Sequence, residues 1–162
     1  MMKKSLFLPV FCLLIPAVTA FAGDDDDVWL CPGAETAMYG VSSLAYGGGF
    51  AVGYGKGISM GLKAAWFTSS EGTTTLELNF LLRYFIFGVD AVSGPFLQLT
   101  AGPALFAGKG TDIAIPSEFG IISAGLSFGW RFLFLNRWFV EPSIRGGYPY
   151  AAGAGLSAGV RF

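Results

Sequence analysis

The residues best placed to do chemistry in this chain are seven charged side chains on alternating segments. Glu77 and Arg83 share one side of a run whose other side is apolar, and Glu141 and Arg145 repeat that arrangement. Residues two apart share one face of a β-strand, so we expect these charges to line a common polar interior. The full set is Lys63, Glu77, Arg83, Arg131, Glu141, Arg145 and Arg161. Its five cations and two carboxylates suit either a structural polar plug or an anion-selective constriction.

Catalytic and nucleic-acid functions find little support in the composition. Histidine is absent, and histidine is the most common general base as well as a common zinc ligand. Gly153 to Ala158 matches a dinucleotide-binding pattern, but no helix is expected to follow it, so we regard the match as fortuitous. With a net charge of -1 and no basic cluster, nucleic acid is not expected as a partner. We therefore predict neither enzymatic activity nor a cofactor.

The N-terminal residues 1–22 have the pattern of a secretory signal peptide. Lys3 and Lys4 precede an apolar run from Leu6 to Ile15, and Ala20 and Ala22 suit the cleavage site. The alternative, an anchoring helix, is disfavoured by two prolines in or beside the run, Pro9 and Pro16.

Residues 23–36 are expected to form a periplasmic N-terminal segment. The acidic run Asp24 to Asp27 is interpreted as a solvated terminus rather than a calcium loop, which would space its ligands around a glycine. After cleavage Cys31 is the one cysteine left, so it is either a free thiol or paired with another chain.

Alternation with a period of two dominates the rest of the chain and predicts strands. It is clearest over 75–86, 119–132, 138–148 and 153–162. Weaker alternation over 46–55, 58–67 and 95–106 predicts three more strands, although Phe96 lies on the polar side of its segment. An eighth strand, over about 37–43, has faces that differ little.

One face of these strands carries essentially no charge, and charged residues are only 13% of the chain. Such a face is unsuited to water, whereas a soluble lipocalin-like barrel carries its charges outside. Helical spans over 36–55 and 91–108 are long enough, but each is rich in glycine or interrupted by proline. In lipid a sheet must close to satisfy its edges. We therefore predict an all-β, transmembrane, antiparallel, up-and-down barrel of eight strands over residues 37–162.

Aromatic residues cluster where the strands should leave the lipid, as in membrane barrels. The predicted girdle is Tyr54, Trp66, Tyr84, Trp130, Trp138 and Tyr148. Lys63 and Glu77 flank one hairpin almost symmetrically, so a cross-strand ion pair is expected between them. Arg83, Arg131 and Arg161 should form a second cluster with Glu141 near the periplasmic end. Glycines in the outer half of the inward face predict a roomy vestibule, unless they only relieve crowding in a small barrel.

The last five residues, Ala158 to Phe162, resemble the assembly signal of bacterial outer-membrane β-barrel proteins, with Phe162 as the terminal aromatic residue. The strand opening from Gly94 to Gly102 is similar to strand starts in small barrels of the OmpW, OmpA and opacity type. The resemblance implies the bacterial outer membrane, with outer-membrane lipid and the barrel assembly machinery as partners.

Two functions follow from the resemblance. OmpW-like members are implicated in uptake of small hydrophobic molecules, which implies a narrow channel or binding barrel with a small hydrophobic or anionic ligand. OmpA-like and OmpX-like barrels are mainly structural or adhesive, which implies a barrel without transport. A soluble periplasmic carrier is a third hypothesis. Predicted loops of modest length weigh against a large adhesive surface.

Overall fold

The computed structural model describes residues 28–39, 43–88, 91–107 and 121–162. The predicted signal peptide and the run Asp24 to Asp27 lie outside the described residues. So does most of the connection between the fifth and sixth strands.

Eight antiparallel strands form a closed barrel in which each strand pairs with its neighbours in sequence and β1 pairs with β8. The strands are β1 (Val28–Tyr39), β2 (Ser43–Tyr54), β3 (Ile58–Ser69), β4 (Thr74–Phe85), β5 (Gly94–Ala107), β6 (Ile121–Phe134), β7 (Trp138–Tyr148) and β8 (Ala152–Arg161). The predicted fold class and strand number are confirmed. Within the described part of the chain, no helix has the length and apolar character needed to cross a membrane.

The first strand lies earlier than predicted. β1 begins at Val28 rather than near Ala37, so residues 28–36 belong to the barrel and not to a periplasmic segment. The alternation there is hard to read because Pro32 and Gly33 interrupt it and both faces mix polar with apolar residues. Cys31 and Glu35 therefore belong to the barrel wall.

Both termini of the described chain lie at one end of the barrel, because the strand number is even. We call this the terminus end, and the other the loop end. The β6–β7 turn at the terminus end is tight. Leu135 and Asn136 have positive φ angles of 51° and 61°, as both central residues of a type I′ turn require. The amide of Arg137 closes this turn by donating to the carbonyl of Phe134 at 3.2 Å.

The outer surface of the barrel is apolar, as the strand alternation predicted. Along β4 the residues Leu78, Phe80, Leu82 and Tyr84 are exposed, and Phe80 is 75% exposed. The intervening residues of the same strand are buried. A belt of exposed aliphatic and aromatic side chains this large is typical of a surface that meets membrane.

The strand pairing is interrupted at three prolines. Pairing between β1 and β8 stops beside Pro32, between β4 and β5 beside Pro103, and between β6 and β7 beside Pro142. Proline has no amide hydrogen to donate to a ladder, and all three rings are exposed on the outside of the barrel. The other five ladders are continuous.

Candidate functional site

The interior of the barrel holds two clusters of charged side chains stacked along its axis. The terminus-side cluster consists of Arg83, Gln98, Arg131 and Glu141. The loop-side cluster consists of Glu35, Lys63, Glu77, Arg145 and Tyr150. Six of the seven predicted lumen residues therefore belong to one of the two clusters.

Glu141 is the centre of the terminus-side cluster. Arg83 donates from Nη1 to Oε1 of Glu141 at 2.7 Å and from Nη2 to Oε2 at 3.1 Å. Arg131 donates from Nε to Oε1 at 2.5 Å. Arg83 also donates two hydrogen bonds to the Oε1 atom of Gln98, at 2.7 and 3.1 Å. One buried carboxylate thus serves two of the three arginines that were predicted to cluster with it, Arg83 and Arg131.

Aromatic rings cover the faces of both arginines. The guanidinium carbon of Arg131 lies 3.9 Å from the ring centre of Phe139 and 5.1 Å from that of Trp29. The guanidinium carbon of Arg83 lies 4.2 Å from the ring centre of Phe96 and 4.4 Å from that of Trp29. The contact with Arg83 explains why Phe96 lies on the polar, inward side of its strand. Cation–π attraction is strongest where water is excluded.

Glycines make room for these rings. A methyl group on Gly53 would overlap the ring of Trp29, one on Gly129 would overlap Phe96, and one on Gly159 would overlap Phe139. Large inward rings in this layer are therefore matched by glycines at the directly paired positions of the neighbouring strands. The glycines relieve crowding, which was the simpler of the two interpretations of their abundance.

Cys31 lies beside this cluster as a buried free thiol. Its Sγ atom is a donor 3.9 Å from Oε2 of Glu141. At 3% exposed inside the lumen, the thiol is shielded from a second chain, which favours the free thiol of the two alternatives that the sequence left open.

The loop-side cluster joins two cations to two carboxylates. Glu35 accepts from Lys63 through Oε1 and from Arg145 through Oε2, the latter at 2.5 Å. Arg145 also donates to Oε2 of Glu77 at 3.3 Å. The predicted Lys63–Glu77 ion pair is wrong, because Lys63 pairs with Asn79 in the strand register and its ammonium binds Glu35 instead.

Tyr150, from the turn between β7 and β8, closes the loop side of this cluster. Its hydroxyl is 3.3 Å from Oε2 of Glu77, and its ring centre is 3.6 Å from the guanidinium carbon of Arg145. Burial raises the pKa of the Tyr150 phenol above its ordinary value, so the group remains a neutral donor. Its ring also packs against Phe67 at 6.3 Å.

The predicted vestibule is not present in the described part of the barrel. Ala37, Ala45, Ala65, Phe67 and Tyr150 form a buried cluster in the outer half. The inward-facing glycines there accommodate larger neighbours: a methyl group on Gly155 would crowd Glu35, and one on Gly153 would crowd Arg145. Between the two charged clusters is a polar chamber of about 40 Å³.

Four buried polar atoms have no hydrogen-bond partner among the described residues. They are Nε1 of Trp29, Oγ of Ser59, Oε1 of Glu77 and Nη2 of Arg131. The nitrogens of Trp29 and Arg131 are donors on the terminus side, the Ser59 hydroxyl there can donate or accept, and the Glu77 oxygen is an acceptor on the loop side. The terminus side therefore has a surplus of donors.

The remaining predicted residues lie at the barrel ends or on its outside. Arg161 is half-buried and in register with Trp29, at the terminus end. The six predicted girdle residues are all exposed on the outer surface. Phe162 is exposed, and its amide donates to the carbonyl of Val28 at 2.8 Å. A role in lipid contact or assembly stays a prediction for these residues.

Glu35, Trp29 and Tyr150 are the interior residues that sequence reasoning missed. Glu35 and Trp29 fell in a segment that was not expected to form a strand, and Tyr150 fell in a predicted loop. The inward positions Trp29, Cys31, Gly33, Glu35 and Ala37 mix aromatic, small and charged residues, so no period-two signal marked the first two. No local pattern marked Tyr150 either.

The fold is similar to those of small outer-membrane barrels. The N-terminal β-barrel domain of Pseudomonas aeruginosa OprF matches with a TM-score of 0.55 at 17% identity, covering 84% of this chain and 97% of that one. The outer membrane protein OprG from Pseudomonas aeruginosa matches with a TM-score of 0.59 at 12% identity, covering 84% and 95%. Neisserial surface protein A matches with a TM-score of 0.52 at 15% identity, covering the same two shares.

No protein-family model and no curated protein sequence matches the chain. At these identities the structural matches establish the barrel fold. They carry no assignment of a ligand or a transport activity. Function must therefore be argued from the lumen and the outer surface.

Proposed function

We propose that this chain is an integral outer-membrane β-barrel with a closed lumen, whose role is structural or surface-related rather than that of a permanently open pore. The lumen is the observation that carries the proposal. Glu77, Arg83, Arg131, Glu141 and Arg145 are each no more than 9% exposed, and the chamber between the two clusters is about 40 Å³. An eight-stranded barrel has an interior that side chains can fill.

Three observations support placement in the outer membrane. The exposed surface is a belt of apolar and aromatic side chains, the barrel is closed, and the N-terminal sequence has the pattern of a secretory signal. A helical inner-membrane location would need apolar helices, and a water-soluble carrier would need a charged exterior. On this proposal the terminus end faces the periplasm and the partners are lipid and the assembly machinery.

The proposal is tested on the mature chain extracted from outer membranes. Unheated protein should migrate faster than heated protein in a denaturing gel, because a closed barrel resists detergent until it is boiled. Recovery in the soluble fraction without detergent would contradict the membrane assignment.

Conductance separates the two functional hypotheses. Reconstituted in planar bilayers and in liposomes, the wild-type barrel should give no stable ionic current and no faster uptake of small hydrophobic or anionic solutes than empty membranes. Stable unitary currents or specific uptake would favour the narrow channel or binding barrel instead. Such a channel requires both charged clusters to separate, since they lie one above the other along the same lumen.

A further inference from the structure

The chamber between the two clusters carries more cationic than anionic groups. Lys63, Arg83 and Arg145 line it, and the lining carboxylates are Glu35 and Glu141. The next charges beyond the lining do not remove this excess of positive charge. One is the cation Arg131, which pairs with Glu141, and the other is the carboxylate Glu77, which pairs with Arg145, so the two cancel. Within the two clusters, four cations therefore face three carboxylates. An uncompensated charge in a water-poor interior is costly.

Hydrogen-bond donors are in surplus as well. Both oxygens of Glu141 already accept from arginine. The Lys63 ammonium lines the chamber and carries three N–H donors, and among the described residues it forms an ion pair with one carboxylate, Glu35. The hydroxyl groups of Ser127 and Ser143 also line the chamber. The missing group is thus an acceptor with negative charge.

The size of the chamber limits what that acceptor can be. A cavity needs roughly 10–15 Å³ of volume for each water that it holds. At about 40 Å³, the chamber has room for about three waters or for one monatomic ion with a water beside it. An organic anion of several carbons, such as gluconate, does not fit.

We propose that the chamber binds one halide ion, chloride being the natural candidate, between Arg83, Lys63 and the serine hydroxyls. The ion brings the two clusters to electrical neutrality and acts as part of the lumen packing. It is a resident structural ion rather than a transported solute, so the proposal is independent of whether the barrel conducts.

The test uses the mature chain refolded from urea into detergent micelles, because a closed lumen must trap the ion as it forms. Refolding is done in sodium bromide or in sodium gluconate at equal ionic strength, gluconate being too large for the chamber. The midpoint of thermal unfolding is then measured over a range of bromide concentrations. Bromide should raise the midpoint in proportion to the logarithm of its concentration.

Gln98→Glu is the decisive variant. Gln98 lines the chamber, and its Oε1 atom accepts both hydrogen bonds from Arg83. A glutamate there keeps those bonds and supplies the missing negative charge inside the protein. The variant should therefore lose the bromide dependence. Because both proteins are compared in the same salts, general salt effects on the micelle and the protein cancel.

Asn79→Asp is the matched control, since it converts another buried lumen amide into a carboxylate away from the chamber lining. It should keep the bromide dependence. Equal dependence in wild type and Gln98→Glu would overturn the proposal and leave water as the occupant. Loss of the dependence in Asn79→Asp would overturn it too, because overall lumen charge would then be responsible rather than a site.

A second readout covers a Gln98→Glu variant that does not fold. Crystals grown in bromide should show one anomalous scattering peak within hydrogen-bonding distance of Arg83. Removing the two hydroxyls in Ser127→Ala/Ser143→Ala should weaken that peak without disturbing an ion pair. Absence of any peak in the wild-type chamber would refute the halide site.

Discussion

Both charged clusters bury cations inside the lumen, but they compensate the positive charge with different groups. The terminus-side cluster sets two guanidinium groups against one carboxylate and covers them with the rings of Trp29, Phe85, Phe96 and Phe139. The loop-side cluster matches two cations with two carboxylates and adds a tyrosine hydroxyl. The two cations of the terminus-side cluster depend on one carboxylate, whereas the two cations of the loop-side cluster are paired with two carboxylates. This difference predicts unequal responses to equivalent substitutions.

Glu141→Gln should have the largest effect. It leaves Arg83 and Arg131 buried without a counter-charge, and breaking a buried ion pair typically costs about 3–5 kcal/mol. The free energy of unfolding, measured by urea titration in lipid vesicles, should fall by that amount. Glu71→Gln in the exposed β3–β4 turn is the control and should change stability by less than about 0.5 kcal/mol. Equal losses in both variants would contradict a special role for Glu141.

Glu35→Gln should cost less, although it too removes a carboxylate that binds two cations. Arg145 retains Glu77 at 3.3 Å, and the side chain of Lys63 is 12% exposed. The expected loss is about 1.5–3 kcal/mol, the range for hydrogen bonds to charged groups. The same urea titration measures it, and a loss larger than that of Glu141→Gln would reverse the proposed ranking of the clusters.

Phe139→Leu tests how much the aromatic rings stabilise the arginines of the terminus-side cluster. Phe139 lies 3.9 Å from the guanidinium carbon of Arg131, whose charge is poorly matched by carboxylate. Losing a desolvated cation–π contact costs about 2 kcal/mol. Phe67→Leu is the matched substitution on the loop side, where the ring centre is 5.0 Å from the guanidinium carbon of Arg145. If thermal unfolding shows Phe67→Leu to be the more damaging change, cation–π compensation is not specific to the terminus side.

Tyr150→Phe should have the smallest effect. The ring over Arg145 is kept, and the hydrogen bond from the hydroxyl to Glu77 at 3.3 Å is lost. We expect about 1 kcal/mol, the usual net value of one hydrogen bond. Tyr148→Phe on the exposed outer surface controls for loss of a hydroxyl. A change in unfolding free energy as large as that of Glu35→Gln would mean that Tyr150 anchors the whole loop side.

The faces of the strands were predictable, but the partners across the lumen were not. Alternation along β4 and β6 showed which side chains point inward, because lipid tolerates no charge and the small lumen accepts it. Pairing across a barrel depends on strand tilt and register between distant segments: Arg145 and Glu35 are 110 residues apart. The erroneous Lys63–Glu77 pair came from counting along one hairpin, whereas Lys63 reaches Glu35 on β1 instead.

β1 shows why the remaining part of the fold was missed. Its inward residues include Trp29, Gly33 and Glu35, and its outward residues include Pro32 and Thr36. Neither face is purely apolar, so period-two analysis finds no contrast there. The strand is specified largely by pairing with β2 and β8, and such long-range information is not contained in local pattern.

The three prolines give the barrel wall an uneven stiffness. The ladders that join β1 to β2, β2 to β3 and β3 to β4 run without a break. Pro142 and Pro32, in contrast, interrupt the ladders that connect the β7–β8 hairpin to β6 and to β1. Between those seams it is Glu141 on β7 that reaches Arg131 on β6 and Arg83 on β4. Amide hydrogens along the β1–β8 and β6–β7 ladders should exchange with solvent deuterium before those of β2 and β3. The barrel wall should therefore open more readily on the side of the β7–β8 hairpin.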